Sequence, residues 1–250
     1  MDGPAHDHHA ARFVSLAGTV NARDLGGLPL AGGGVTRHGQ LLRSDVPLRL
    51  DPEDRERLIR LGIGTVVDLR EAHELVRDHN ALVGFDGIAV HHVEVWRLIN
   101  EVGVAPDDPW SITGFYLSAL DHAGAAFAAA VRLLAEAEGA ALFHCTAGKD
   151  RTGLLALLVL EAVGVTREAV IEDFALTDAR IGSIRERLTE EAAGRGIARP
   201  DFERLLGATP DLIEPALAHL DRVHGGAEAY LRRHGADPAT LARLRAKLSG

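Results

Sequence analysis

The chain has a single cysteine, Cys145, in 250 residues. An internal disulfide framework, a C-x-x-C redox pair and a thiolate zinc cluster each need at least two, so all three are excluded. No run of about 18 uninterrupted apolar residues occurs, which removes an ordinary membrane-spanning helix and integral membrane association. The opening residues Met1 to His9 lack a basic stretch followed by an apolar one. Together with the lone thiol, this leads us to expect a soluble, cytoplasmic protein. A basic excess is missing too. The formal net charge of −9 has the wrong sign for an obligatory nucleic-acid partner, which demands a basic surface. It leaves phosphorylated substrates open, because the field inside a pocket can be positive on an acidic protein.

What is present suffices for one core. A hydrophobic share of 46% over this length does not demand two domains. Residues 1–11 read as a flexible tail and 12–250 as the domain. The tail's His6, His8 and His9 read as solvated side chains, so no metal is assigned and no cofactor is expected. Asp51-Pro52-Glu53 has the residues of a helix start, and Gly62 those of its stop. Thr65 to Leu69, Ile88 to Val95 and Ala140 to Phe143 read as strands. Phe115 to Glu138 carries a long helical pattern interrupted near Gly124, and Leu154 to Val163 is apolar enough for a buried helix. A further helix runs from Thr166 toward Thr177. Alternating strands and helices imply an α/β fold with a mostly parallel central sheet flanked by helices, its site at the strands' C-terminal ends. Residues 180–209 read as a charged amphipathic helical insertion, most simply a peripheral helical pair covering the core, with Ile181, Ile184 and Leu188 on one face and Gly194, Gly196 and Pro200 as breakers.

The chemistry concentrates in His144-Cys145-Thr146-Ala147-Gly148-Lys149-Asp150-Arg151-Thr152-Gly153, between a strand and a helix. Unpaired amides and the positive end of the helix dipole favour a bound dianion and a cysteine thiolate at that turn. Curling the loop would aim the amides of Thr146, Ala147, Gly148, Lys149, Asp150 and Arg151 inward as a nest, with the Arg151 fork closing on two phosphate oxygens. A buried structural cysteine would require neither Gly148 nor an arginine six positions on, so a phosphatase is the favoured reading. The nucleotide-binding loop G-x-x-x-x-G-K-[ST] fails twice, since Phe143 and Asp150 stand where glycine and a hydroxyl residue are required. A rhodanese-like sulfurtransferase remains the chemical alternative, and a non-catalytic phosphate-binding module the alternative of another class. Intact Cys145, Asp150 and Arg151 speak against the module.

The loop resembles the H-C-x-x-G-K-D-R-T-G signature of the cysteine-based protein tyrosine phosphatases, in particular their bacterial branch of atypical tyrosine and dual-specificity phosphatases that includes secreted mycobacterial enzymes. Asn21 to Gly27, Leu42 to Asp45, Val67 to Arg70 and Gly225 to Leu231 follow in that family's order, so the likeness spans most of residues 12–235. The resemblance implies a phosphatase-like domain with a helical lid in the 180–209 insertion. It implies a phosphotyrosine protein substrate, with phosphoserine, phosphothreonine or phosphoinositide activity alongside, and inorganic phosphate as product. Cys145 would be the nucleophile, Arg151 the transition-state clamp and Thr152 a hydroxyl partner of the sulfur. His144 would orient the loop. The general acid is Asp150 in the resembled branch, with Asp107 and Asp108 as rivals in a Pro- and Asp-rich stretch upstream of the nucleophile. Lys149 either contacts a second acidic group, as in phosphoinositide phosphatases, or is simply solvated. For Asp68 with Arg70, and for Arg23 with Asp24, an internal ion pair is the expected role.

Overall fold

The structure, a computed structural model, describes residues 11–96, 111–194 and 196–249. The chain order is β1 (Arg23–Asp24), β2 (Leu41–Ser44), α1 (Pro52–Leu61), β3 (Ile63–Asp68), α2 (Ala72–Arg77), β4 (Ala89–His92), α3 (Ile112–His122), α4 (Gly124–Glu136), β5 (Ala140–His144) and α5 (Asp150–Val163). It continues with α6 (Arg167–Ile181), a 3-10 turn (Gly182–Ile184), α7 (Arg185–Gly194), α8 (Arg199–Arg204), α9 (Pro210–His219), a π-helical turn (Leu220–His224), α10 (Ala227–Arg233) and α11 (Pro238–Ser249). The sheet order is β1-β2-β5-β3-β4. Only β1 runs antiparallel to its neighbour, which gives the mostly parallel α/β sheet the sequence implies.

Alternation along the strands divides the core. On β5, Ala141 and Phe143 face the large apolar layer of α3–α6 and α9–α11, whereas Ala140 and Leu142 face a smaller one with Leu16, Leu58 and Leu82. β5 is therefore apolar on both faces, as a central parallel strand must be. The α5 helix that follows is buried nearly all round from Arg151 onward, with Glu161 its one partly exposed residue there. Asp51 caps α1 with its carboxylate on the Asp54 amide, and Gly62 ends it in the left-handed region at φ 66°. The helical pattern after Phe115 is interrupted where expected. α3 and α4 meet at a 77° bend, and a Cβ at Gly124 would come within 2.4 Å of the His234 ring, so the corner needs glycine.

The expected boundaries shift in physically instructive places. The strand read over Ile88 to Val95 pairs only over Ala89–His92, because β4 is an edge strand with one neighbour and half-exposed side chains. The helix read from Leu154 begins at Asp150, so its first turn is the end of the phosphate loop. β1 and β2, two and four residues long, have no legible alternation. Among the described residues, no single helix is long and apolar enough to cross a membrane.

Candidate active site

The loop's amides are set by what its carbonyls do. The Thr146 carbonyl accepts from the Val46 amide (3.2 Å), and those of Ala147 and Gly148 accept from Asn21 Nδ2 (3.2 and 3.1 Å). Gly148 also takes Arg43 Nη2 at 2.8 Å. A trans peptide points its N–H opposite its C=O, so anchoring these three carbonyls on the outside turns the amides of Ala147, Gly148 and Lys149 inward. Gly148 has φ +66°, and a Cβ there would meet the Ser44 carbonyl at 2.5 Å. Only glycine permits both the turn and the approach. Behind the loop, Arg43 is held in turn by Asp173 (2.7 Å), which also pairs with Arg23 and Arg12. Burial would push Asp173 up, but the three guanidinium groups hold its carboxyl far below the usual range.

Cys145 is free, 2% exposed, and lines a cavity of about 300 Å³ together with Thr146, Ala147, Lys149, Asp150 and Arg151. Arg151 is fixed from behind by a residue that no sequence pattern singles out. Glu74, at the third position of α2, takes Arg151 Nη2 at 2.8 Å and also receives Nη1 and the Thr146 hydroxyl. Burial pushes Glu74 up, yet Arg151 and Thr146 hold it down at about 2. Conversely, burial would lower Arg151, and Glu74 and the charge of Cys145 raise it above the ordinary arginine value. Among the described residues the buried Arg151 Nε has no partner, and the guanidinium lies 5.7 Å from the centre of the Trp96 ring. One donor edge thus stays available while the rest of the fork is clamped.

Asp150, the first residue of α5, accepts a 2.6 Å hydrogen bond on Oδ1 from the Tyr116 hydroxyl and stands 3.1 Å from Lys149 Nζ. Burial, then the Asp150 charge, raises the Tyr116 pKa well above that of a free phenol. The phenol remains a donor. Lys149 is 1% exposed and donates to the Leu205 carbonyl, so it is not the solvated side chain the sequence allowed. The opposite wall comes from the 180–209 segment, through Ile181, Leu188, Ile197, Phe202 and Leu206, with Ile112 and Phe115 of α3 facing them. Asp107 and Asp108 lie outside the described residues.

His144 stays out of the cavity. Its Nδ1 is 3.2 Å from the Cys145 carbonyl and must donate, which leaves Nε2 to accept from Asn80 Nδ2 at 2.9 Å. Burial lowers its pKa, which agrees with the neutral ring those two hydrogen bonds require. Asp68 and Arg70 form the expected internal pair, at 2.7 and 2.9 Å. Arg23 and Asp24 do not. Adjacent strand residues project to opposite sides, so Arg23 reaches inward to Asp173 while Asp24 accepts from the Gly26 and Gly39 amides. Thr152 is fully buried, and its hydroxyl has no hydrogen-bond partner among the described residues.

A strand–loop–helix anion cradle with a cavity-lining cysteine and a clamped arginine six residues on is the working part of the cysteine-dependent phosphatases. The chain belongs to the tyrosine phosphatase family, whose sequence profile matches residues 14–250. The triple specificity protein phosphatase PtpB of Mycobacterium tuberculosis is 31% identical over 277 residues, covering 94% of this chain and 98% of that one. A tyrosine-protein phosphatase of Nostoc commune is 30% identical, covering 80% of this chain and 71% of its own. A Cupriavidus necator protein is 32% identical over 219 residues, covering 85% and 80%. Among solved structures, a complex of Pseudomonas aeruginosa TpbA with phosphotyrosine aligns at TM-score 0.32 and 20% identity over 83% of this chain and 85% of its own. The protein is accordingly a phosphatase of this family, and the sulfurtransferase and the non-catalytic module give way.

Proposed function

We propose that the protein hydrolyses phosphotyrosine through a cysteinyl-phosphate on Cys145. The carrying observation is the placement of the sulfur in a cavity of about 300 Å³ whose far walls are apolar and aromatic, a lining that suits a phenyl ring while the phosphate meets the loop. The thiolate attacks phosphorus, and the bond from phosphorus to the phenolic oxygen breaks. The inward amides and the free Nε edge of Arg151 take up charge on the equatorial oxygens. Asp150 delivers the proton to the leaving oxygen. Tyr116 and Lys149 both engage Oδ1, which assigns that proton to Oδ2. Water then attacks phosphorus, Asp150 recovers a proton from it, and Cys145 leaves.

Breadth beyond phosphotyrosine is supported by the mycobacterial relative's name and by Lys149 in the cavity wall, where an additional acidic group of a phosphoinositide would meet it. The segment over residues 180–209 acts as a lid, tied shut by Lys149 on Leu205, that opens for substrate. A reducing, cytoplasmic setting suits the single thiol. The purified chain should release phosphate from phosphotyrosine peptides faster than from phosphoserine peptides or phosphoinositide vesicles. Cys145→Ser should abolish release from all three. Retained turnover in that variant overturns the covalent route, and a higher rate on phosphoinositide overturns the substrate assignment.

A further inference from the structure

On the side of the molecule built by α3 and α9, three side chains outside the phosphatase cavity converge on one point. His219 Nε2 and His224 Nε2 lie 2.8 and 3.0 Å from the same oxygen, Asp121 Oδ1. Residues five apart stand about 140° around the axis of an ordinary α-helix, so an H-x-x-x-x-H spacing normally divides a histidine pair between faces. Here the π-helical turn over Leu220–His224 takes up the extra residue and brings the two rings to 5.4 Å between centroids. Both rings are largely buried, whereas Asp121 keeps 38% of its side-chain surface and leaves an entrance from solvent. A fourth polar group is left over. The Tyr230 ring packs edge-on against His224 at 5.0 Å, and its hydroxyl is fully buried with no hydrogen-bond partner among the described residues.

We propose that Asp121, His219 and His224 bind a divalent transition metal of the Zn²⁺ class, with a water in the fourth position. Two imidazoles and a carboxylate suit this ion, which takes nitrogen and oxygen at about 2.0–2.2 Å in tetrahedral sites. The three donor atoms lie within 4.8 Å of one another, so closure on an ion needs only small side-chain movements. Loading requires each Nε2 to present its lone pair and each ring proton to move to Nδ1. Arg233 Nη1 opposes this at His224, since it sits 3.3 Å from Nδ1 and is itself a donor. The site is consequently weakened by Arg233 and binds reversibly. An ion there would staple the end of α3 to the π turn, and α3 also carries the Tyr116 that holds Asp150.

The test uses the full chain carrying Cys145→Ser and His6, His8 and His9→Gln, which removes the competing zinc ligands at the catalytic loop and tail. Zn²⁺ titrated against a chromophoric chelator should bind one ion per chain, and Co²⁺ should give the visible absorption of a tetrahedral centre. Asp121→Asn, His219→Gln or His224→Gln added singly should weaken binding at least about tenfold at unchanged circular dichroism. Arg233→Gln should tighten it several-fold, a gain that a variant with damaged folding would not show. Absence of stoichiometric Zn²⁺ in the background protein overturns the proposal. So does binding that is indifferent both to the three ligand variants and to Arg233→Gln.

Discussion

The site depends at single positions on residues that hold other residues. Glu74 grips Arg151 and Thr146 together, so Glu74→Gln should lower kcat/KM about 10²-fold, comparable to loss of one transition-state donor. The same carboxylate ties stability to pH. Its pKa is depressed to about 2 in the folded chain from an ordinary 4.5. Its contribution, about 3 kcal/mol, is therefore complete above pH 4.5 and lost as pH falls toward 2. Denaturant unfolding of Glu74→Gln should lack that acid slope, and an unchanged slope would place the charge elsewhere. Asp150→Asn should slow phosphotyrosine more than an aryl phosphate whose phenolate leaves unaided, whereas equal losses would assign Asp150 to loop geometry. The nucleophile, the arginine and the glycine are legible in sequence because one contiguous motif carries them. Glu74 and Tyr116 are not, since each is an ordinary helical residue until the fold sets it 77 or 34 positions away against the loop.

Between elements, the central connection runs from β1 and β2 to α6 through Asp173. Arg12, Arg23 and Arg43 converge on this one buried carboxylate, and Arg43 continues to the Gly148 carbonyl. Asp173→Asn leaves buried guanidinium groups uncompensated and should cost about 3–5 kcal/mol by denaturant unfolding, with catalysis falling as the loop loosens. A loss under about 1 kcal/mol would show that water reaches the cluster. The 180–209 segment makes its own connection through Lys149 and Leu205. Lys149→Met should speed amide exchange over α8, and a bound phosphate-mimicking oxyanion should alter exchange there in the parent chain. Identical exchange in all three states contradicts a moving lid. The amphipathic pattern of residues 180–209 announces helices. That they wall the cavity follows only from how Ile181, Leu188 and Leu206 pack as a small apolar cluster of their own.

Across the whole molecule, the α/β class is readable because β5 and α5 carry apolar residues on every side, a property only the centre of such a fold requires. The sheet's edge is hidden for the opposite reason. β1 and β2 are short, and Arg23, Arg43 and Ser44 are buried polar residues, the two arginines with partners on distant segments. At the catalytic floor the acidic balance of the chain is offset, since Lys149 and Arg151 pair with Asp150 and Glu74 and the inward amides add the positive end of a helix. Everything catalytic follows from that floor holding phosphorus against sulfur. The direct measurement is rapid quenching of the Asp150→Asn variant on a radiophosphate-labelled aryl phosphate whose phenolate leaves unaided, followed by peptide mapping. The account predicts a burst of label confined to the peptide containing Cys145 and absent from Cys145→Ser. Turnover without covalent label, or label on any other residue, would contradict it.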